Sequence, residues 1–443
     1  MLKRLQWRFE WLGQALIGNL VGRLPGPWVF RLGDWIGGIV WHFIPHRRIT
    51  VLRNLRIAFA GEKPLDELQV LAKASFRRSC ANLFSIGHTA RLSVDELHQI
   101  LHFENPELVE EACAKGRGLV LLLAHMGNWE LLSRLTHFLP KNIPIAGFYR
   151  PLNNELLNAS IIKRRQADGA RMFSKGDPFH QACRFLRDGG LIGILADQRV
   201  GRQGEVVPFF GRFTRTSPLP SLLARRTRCE VLALSMASDG PGRWKARFSK
   251  VESPPTTAHC MAALEKAMAS SPIDVFWLQE RWRCQLGKRR AFKDWLGPET
   301  PRSDKAHRFL LWLADAPIEN DLPKSWIHPD VDHEVVIHPG QAMHGDYLST
   351  CRAHTCLANA NQKTIQQLIT AIDLAGPVPL DGVVTIHPSP ALEKACKHAG
   401  IPLFKIRPRK KTGAARRPHN DPPHAEAAAT QAIADSPTTD RKS

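Results

Sequence analysis

A chain of 443 residues is too long for one ordinary domain, so two or three folding units are expected, and 43% apolar residues supply a sizeable core. Lys and Arg number 61 against 41 Asp and Glu, giving a net charge of +20 and a pI near 9.9. Such a surface draws anions (nucleic acid, acidic lipid headgroups or an acidic carrier protein), and composition alone does not choose among them.

The first 45 residues contain Trp7, Trp11, Trp28, Trp35 and Trp41, and the whole chain has 12 tryptophans but only 2 tyrosines. Tryptophan suits a membrane–water interface, where its ring is half apolar and its N–H still finds a partner. No small-residue cleavage site follows a clean apolar core, so this is not a cleaved signal. Arg23, Arg31 and Asp34 interrupt every window of about 20 residues that a membrane span needs. One or two amphipathic helices lying in an interface fit, with Lys3, Arg4 and Arg8 toward headgroups. A pair of ordinary core helices is the alternative.

Residues 46–115 repeat apolar positions at helical spacing. RGLVLLLAH at 117–125 is a continuous apolar run and reads as a buried strand; WELLSRLTHFL reads as a helix with Asn128 as its N-cap. The alternation continues with strands at NIPIAGFYR, ARMFSK and LIGILADQ, and helices at NNELLNASIIKRRQADG and PFHQACRFLRDGG. CEVLALSMASD and RWKARFSKV read as paired strands, and HCMAALEKAMASS as a helix. The expected class is α/β: a layered domain over 46–298 with a central, mostly parallel sheet and flanking helices. A smaller α/β unit is expected over 299–407, and a disordered basic tail from 408.

The apolar run at 119–124 stops on His125, a strand end where α/β folds place their chemistry. Glu130 follows five positions later, beyond Gly127, which lets the backbone turn tightly. A glutamate in the first helical turn can fold back to one ring nitrogen, fixing the tautomer and raising the basicity of the other. The product is a general base for a hydroxyl proton, beside a helix N-terminus that can stabilise an oxyanion. By itself H-x4-E is a weak signal, and a structural histidine satisfied by its neighbours is the other reading.

LAHMGNWELL resembles the H-x4-D/E core of the lipid A biosynthesis acyltransferases, the lauroyl and myristoyl transferases of Gram-negative bacteria. FYRPLNNELLN resembles that family's second block. FLRDGGLIGILADQRVGRQGEVVPFFGRFTRTS resembles its third, and WLQERWR stands where its closing block lies, so the likeness spans about residues 1–295. The closing block departs from the family's histidine and paired arginines, reading Gln279-Glu280-Arg281-Trp282-Arg283, which leaves the acceptor open.

The resemblance implies transfer of an acyl group from a thioester on acyl carrier protein to a hydroxyl of a membrane glycolipid, at the cytoplasmic face of the bacterial inner membrane. His125 would deprotonate the hydroxyl and Glu130 would orient the histidine. No cofactor is required. Arg150, Arg164 and Arg165 are candidates for phosphates or the oxyanion, Asp197 for orienting an arginine or the substrate, and Phe209 and Phe210 for an acyl channel. An acidic carrier, a phosphorylated acceptor and an anionic leaflet would all attract a basic enzyme. Another glycolipid or aminolipid acceptor is the nearest alternative.

A basic nucleic-acid-binding protein is the rival from another class, but zinc-finger spacing and aromatic-rich RNA motifs are lacking. No G-x-S-x-G elbow supports a serine hydrolase. Cys351, His354 and Cys356 have no second cluster with zinc spacing beside them, so no metal is expected.

Overall fold

The computed structural model describes residues 2–139, 143–174, 176–200, 204–282, 306–315, 327, 331–343, 345–357 and 359–405. The tail expected to be disordered from 408 lies outside the described residues, as does Arg283.

Helices come first: α1 (Leu2–Val21), α2 (Gly26–Phe43), α3 (Pro45–Phe59), α4 (Leu65–Thr89) and α5 (Val94–Ile100). In α2, Gly33 and Gly37 lie one turn apart and press on α4; a Cβ at Gly33 would stand 2.8 Å from the Ala81 Cα. Only glycine permits that approach, and it puts Trp28, Trp35, Ile39 and Phe43 on the exposed side. On α1, Phe9, Leu12, Leu16 and Leu20 are exposed as well. No described helix is long and apolar enough to cross a membrane.

The α/β alternation follows: β1 (Leu101–Glu104), α6 (Glu107–Ala114), β2 (Leu119–Leu123), a 3-10 helix (Trp129–His137), β3 (Ile145–Tyr149), α7 (Glu155–Arg165), β4 (Arg171–Ser174), α8 (Phe179–Arg187) and β5 (Leu191–Leu195). A hairpin of β6 (Glu205–Phe209) and β7 (Arg212–Thr216) leads to α9 (Leu219–Thr227), β8 (Glu230–Ser238), β9 (Trp244–Lys250) and α10 (Thr257–Ala269). The strands form a seven-stranded sheet in the order β1-β9-β8-β2-β5-β3-β4. Every pairing is parallel except β8 with β9, the two strands that the sequence pairs. All five residues of β2 are buried, as expected of a strand flanked on both edges and covered on both faces. Where a helix with an Asn128 cap is expected, a tighter 3-10 helix occurs; the Asn128 amide instead donates to Thr89 Oγ1 at 3.1 Å. The turn between holds Gly127 at φ +56°, and a Cβ there would lie 2.6 Å from the Met236 carbonyl oxygen.

A second sheet is built from β10 (His307–Trp312), β11 (Val331–Ile337), β12 (Arg352–Thr355), β13 (Gly382–Thr385) and β14 (Leu403–Lys405). It is wholly parallel, with the order β12-β11-β10-β13-β14. Between β11 and β12 lies α11 (Asp346–Thr350); α12 (Gln362–Ala375) and α13 (Pro390–Ala399) supply crossovers. Both sheets belong to one compact unit. Their junction is ionic and buried. Arg53 of α3 donates to Asp373 Oδ1 at 2.6 Å, Arg56 to the Asp373 carbonyl at 2.9 Å, and Arg212 of β7 pairs with Asp381.

Candidate active site

Strands β2 and β5 are neighbours, with Leu123 opposite Leu195. Two residues beyond that pair, the same register brings His125 beside Asp197. His125 Nδ1 lies 2.7 Å from Asp197 Oδ1, and the His125 backbone N–H donates to Oδ2 at 3.1 Å. With Nδ1–H donated to the carboxylate, Nε2 is the accepting nitrogen, and the Gln198 side-chain amide donates to it at 3.1 Å. Burial would push the Asp197 carboxyl up; the charge and hydrogen bonds of His125, helped by Arg281, outweigh it and hold Asp197 below the usual carboxylate range. The Gln279 amide reaches Oδ2 at 3.5 Å.

This corrects the assignment of the histidine's partner. Glu130 was expected on the imidazole, but its carboxylate faces Arg165. Arg165 Nε donates to Glu130 Oε2 at 3.0 Å and a terminal nitrogen to Oε1, while Arg164 lies 3.7 Å away. The reason is the strand-end geometry: Asp197 emerges beside His125, whereas Glu130 sits one turn off, at the start of the 3-10 helix, pointing to α7. Burial would raise Glu130, yet Arg165, Arg164 and His125 together keep it ionised at lower pH than usual. Burial would lower Arg165, and Glu130 more than compensates, raising it.

Next to this pair a cleft opens between the 3-10 helix and the sheet. One face of β2, β3, β4 and β5 makes its floor, and the 3-10 helix its wall. Its lining is apolar except for Glu130, Ser133 and Arg165. Trp129 lines it too, and its ring meets the His125 ring edge-on, 5.1 Å between centroids.

The other candidates are dispersed. Arg150 stands exposed past the end of β3 and does not line the cleft. Phe209 and Phe210 are buried in an aromatic cluster with Phe59, Trp277 and Trp282, with ring centroids 5.0–6.3 Å apart, so they are core and not channel. Their rings are taken up by Phe59 of α3 and by Trp277 and Trp282, and neither lines the cleft. Gln198, Gln279 and Arg281 join the site through contacts that the sequence does not mark. Arg281 is buried, donating to the Gln198 carbonyl at 3.2 Å and the Arg215 carbonyl at 2.8 Å, which fixes the loop after β5. The one sequence signal for Gln198 was its place after Asp197 at a strand end.

The family model described as bacterial lipid A biosynthesis acyltransferase matches residues 2–284, well over half of the chain. A lipid A biosynthesis acyltransferase of Haemophilus influenzae is 26% identical over 237 residues, covering 53% of this chain and 72% of that protein. The lipid A biosynthesis lauroyltransferase of Escherichia coli is 25% identical over 283 residues, covering 62% and 90%. A phosphatidylinositol mannoside acyltransferase of Mycobacterium tuberculosis is 28% identical over 194 residues, covering 41% and 60%. With its seven-stranded sheet and strand-end histidine inside the matched span, the chain belongs to the bacterial lipid A biosynthesis acyltransferase family and is an acyltransferase.

Proposed function

We propose that the enzyme moves a fatty acyl group from an acyl thioester, carried on acyl carrier protein, to a hydroxyl of a phosphorylated glycolipid such as a lipid A precursor. The observation that carries this is the His125–Asp197 pair beside an apolar cleft. The acyl chain lies in the cleft with its thioester at the mouth. The acceptor hydroxyl displaces the Gln198 amide from His125 Nε2, which takes the proton as the oxygen attacks the thioester carbon. Asp197 holds the ring in the reactive tautomer and balances the imidazolium. When the tetrahedral adduct collapses, the carbon–sulfur bond breaks and the proton passes to the departing thiolate. Arg165, tied to Glu130 at the mouth, is a cation placed for the developing oxyanion or an acceptor phosphate.

The apolar side chains exposed on α1 and α2 support attachment to a membrane surface, here the cytoplasmic face of the bacterial inner membrane. Asn154 at the start of α7 donates to the Trp7 carbonyl at 3.1 Å, tying α1 to the helix that carries Arg164 and Arg165. Phosphatidylinositol mannoside acyltransferases among the relatives favour a second reading, in which the acceptor is another glycolipid or an aminolipid.

Mass spectrometry of membrane lipids with and without this chain, alongside transfer assays from acyl carrier protein, tests both readings. A new acyl ester on a lipid A precursor is expected; one on a different lipid supports the second reading. His125→Ala should lower transfer by roughly 10²–10⁴-fold with the fold intact. Near-parental turnover in that variant overturns the mechanism.

A further inference from the structure

Two glycines interrupt the apolar strands that floor the cleft: Gly147 in β3 and Gly193 in β5. They are direct cross-strand partners, and the same row continues to Leu121 on one side and Met172 on the other. A glycine inside a strand weakens it, and there are three usual reasons to keep one: a backbone angle, a tight contact, or a ligand lying close. Neither glycine has a positive φ. Neither is forced by backbone packing. The nearest atoms to a Cβ at Gly147 would be the Met172 side chain at 3.6 Å and the Gly193 carbonyl at 3.9 Å, both ordinary contacts. A Cβ at Gly193 would meet the mobile end of Leu123 at 3.2 Å and the Ala146 carbonyl at 3.8 Å. Gly127, by contrast, has a carbonyl oxygen 2.6 Å from where its Cβ would be. What remains above the pair is the open cleft.

The pair lies two residues, or about 7 Å, below Leu195 along the strand, with Leu191 and Ile145 two residues deeper. An acyl chain entering beside Trp129 must therefore cross the two glycines to reach the Leu191–Ile145 end. We propose that Gly147 and Gly193 determine how long an acyl chain this enzyme accepts: their missing side chains are the passage from the mouth of the cleft to its deep end. This rests on the acyltransferase reading above and specifies its donor side. The pair lies in the floor between Leu123 and Leu195 on one side and Leu191 and Ile145 on the other, so added bulk at either glycine excludes long donors before short ones.

The test is a donor series from octanoyl to palmitoyl thioesters of acyl carrier protein, with the parent enzyme and with Gly193→Val, Gly147→Val and both alanine variants. Each variant's melting temperature is measured in parallel. Gly147→Ala adds only ordinary contacts and Gly193→Ala needs only the Leu123 side chain to shift slightly, so the alanines carry the test should the valines fail to fold. Relative to the parent, the ratio of kcat/KM for decanoyl over palmitoyl donors should rise roughly ten-fold or more in the valine variants and by less in the alanines. Folded variants that keep the parental profile overturn the glycine passage while leaving the acyltransferase reading standing. A parent that transfers no acyl group from any thioester of the series overturns both.

Discussion

At the scale of single residues, the imidazole matters less than what holds it. His125 was legible because it ends an oily strand, and Asp197 because it ends another. Their contact was not, because nothing local says that β2 and β5 are neighbours; a carboxylate 72 positions away wins over one five positions away through strand register. Glu130, close in sequence, is drawn off by two arginines on α7. Asp197→Asn keeps the size and loses the charge that selects the tautomer, so turnover should fall by roughly 10²–10⁴-fold. Glu130→Gln should cost at least about ten-fold less, because Nδ1 keeps its partner. Steady-state kinetics on the two variants decides between the partners, and a larger loss in Glu130→Gln would reinstate the local pairing.

Among the elements, strands were easier to read than the turn between β2 and β3. Continuous apolar runs mark β2 and β5 in the sequence, since a buried parallel strand is apolar throughout. The 3-10 form of Trp129–His137 is not marked, because its residues have ordinary helical spacing. In the second sheet, β11 carries its own liability. His333 is buried, shares a hydrogen bond of 3.0 Å with the Tyr347 hydroxyl, and its Nε2 has no partner among the described residues. Burial pulls its pKa down to about 4. Because the unfolded chain takes up the proton near the ordinary value of about 6.5, stability is complete above that pH and declines as pH falls toward 4. The loss should reach roughly 3 kcal/mol for this group. Hydrogen exchange of the β11 amides should quicken over that window, and His333→Phe should flatten the dependence.

Over the whole molecule, the two sheets share one buried ionic seam, and its key carboxylate is Asp373. Arg53 and Arg56 both converge on it, and all three side chains are less than a tenth exposed. Removing one member of such a set strands the others, so Asp373→Ala should destabilise the protein by roughly 3–5 kcal/mol, read from denaturant unfolding. An unchanged midpoint would mean that water reaches the seam. A division near residue 298 is visible in the sequence as a shift in composition, but the seam is not, because arginines in a helix read as solvent-facing charge. Helix α3 also faces the catalytic side: between the two arginines, Asn54 donates to the Trp277 carbonyl at 2.7 Å and the Gln279 carbonyl at 2.6 Å, in the loop whose glutamine touches Asp197. A shortened chain lacking everything past the first sheet would thus expose two naked guanidinium groups on the very rod that braces the reactive corner. Any lineage or engineer trimming this enzyme must first exchange those arginines, and a dead truncation would say nothing about whether the missing portion takes part in chemistry.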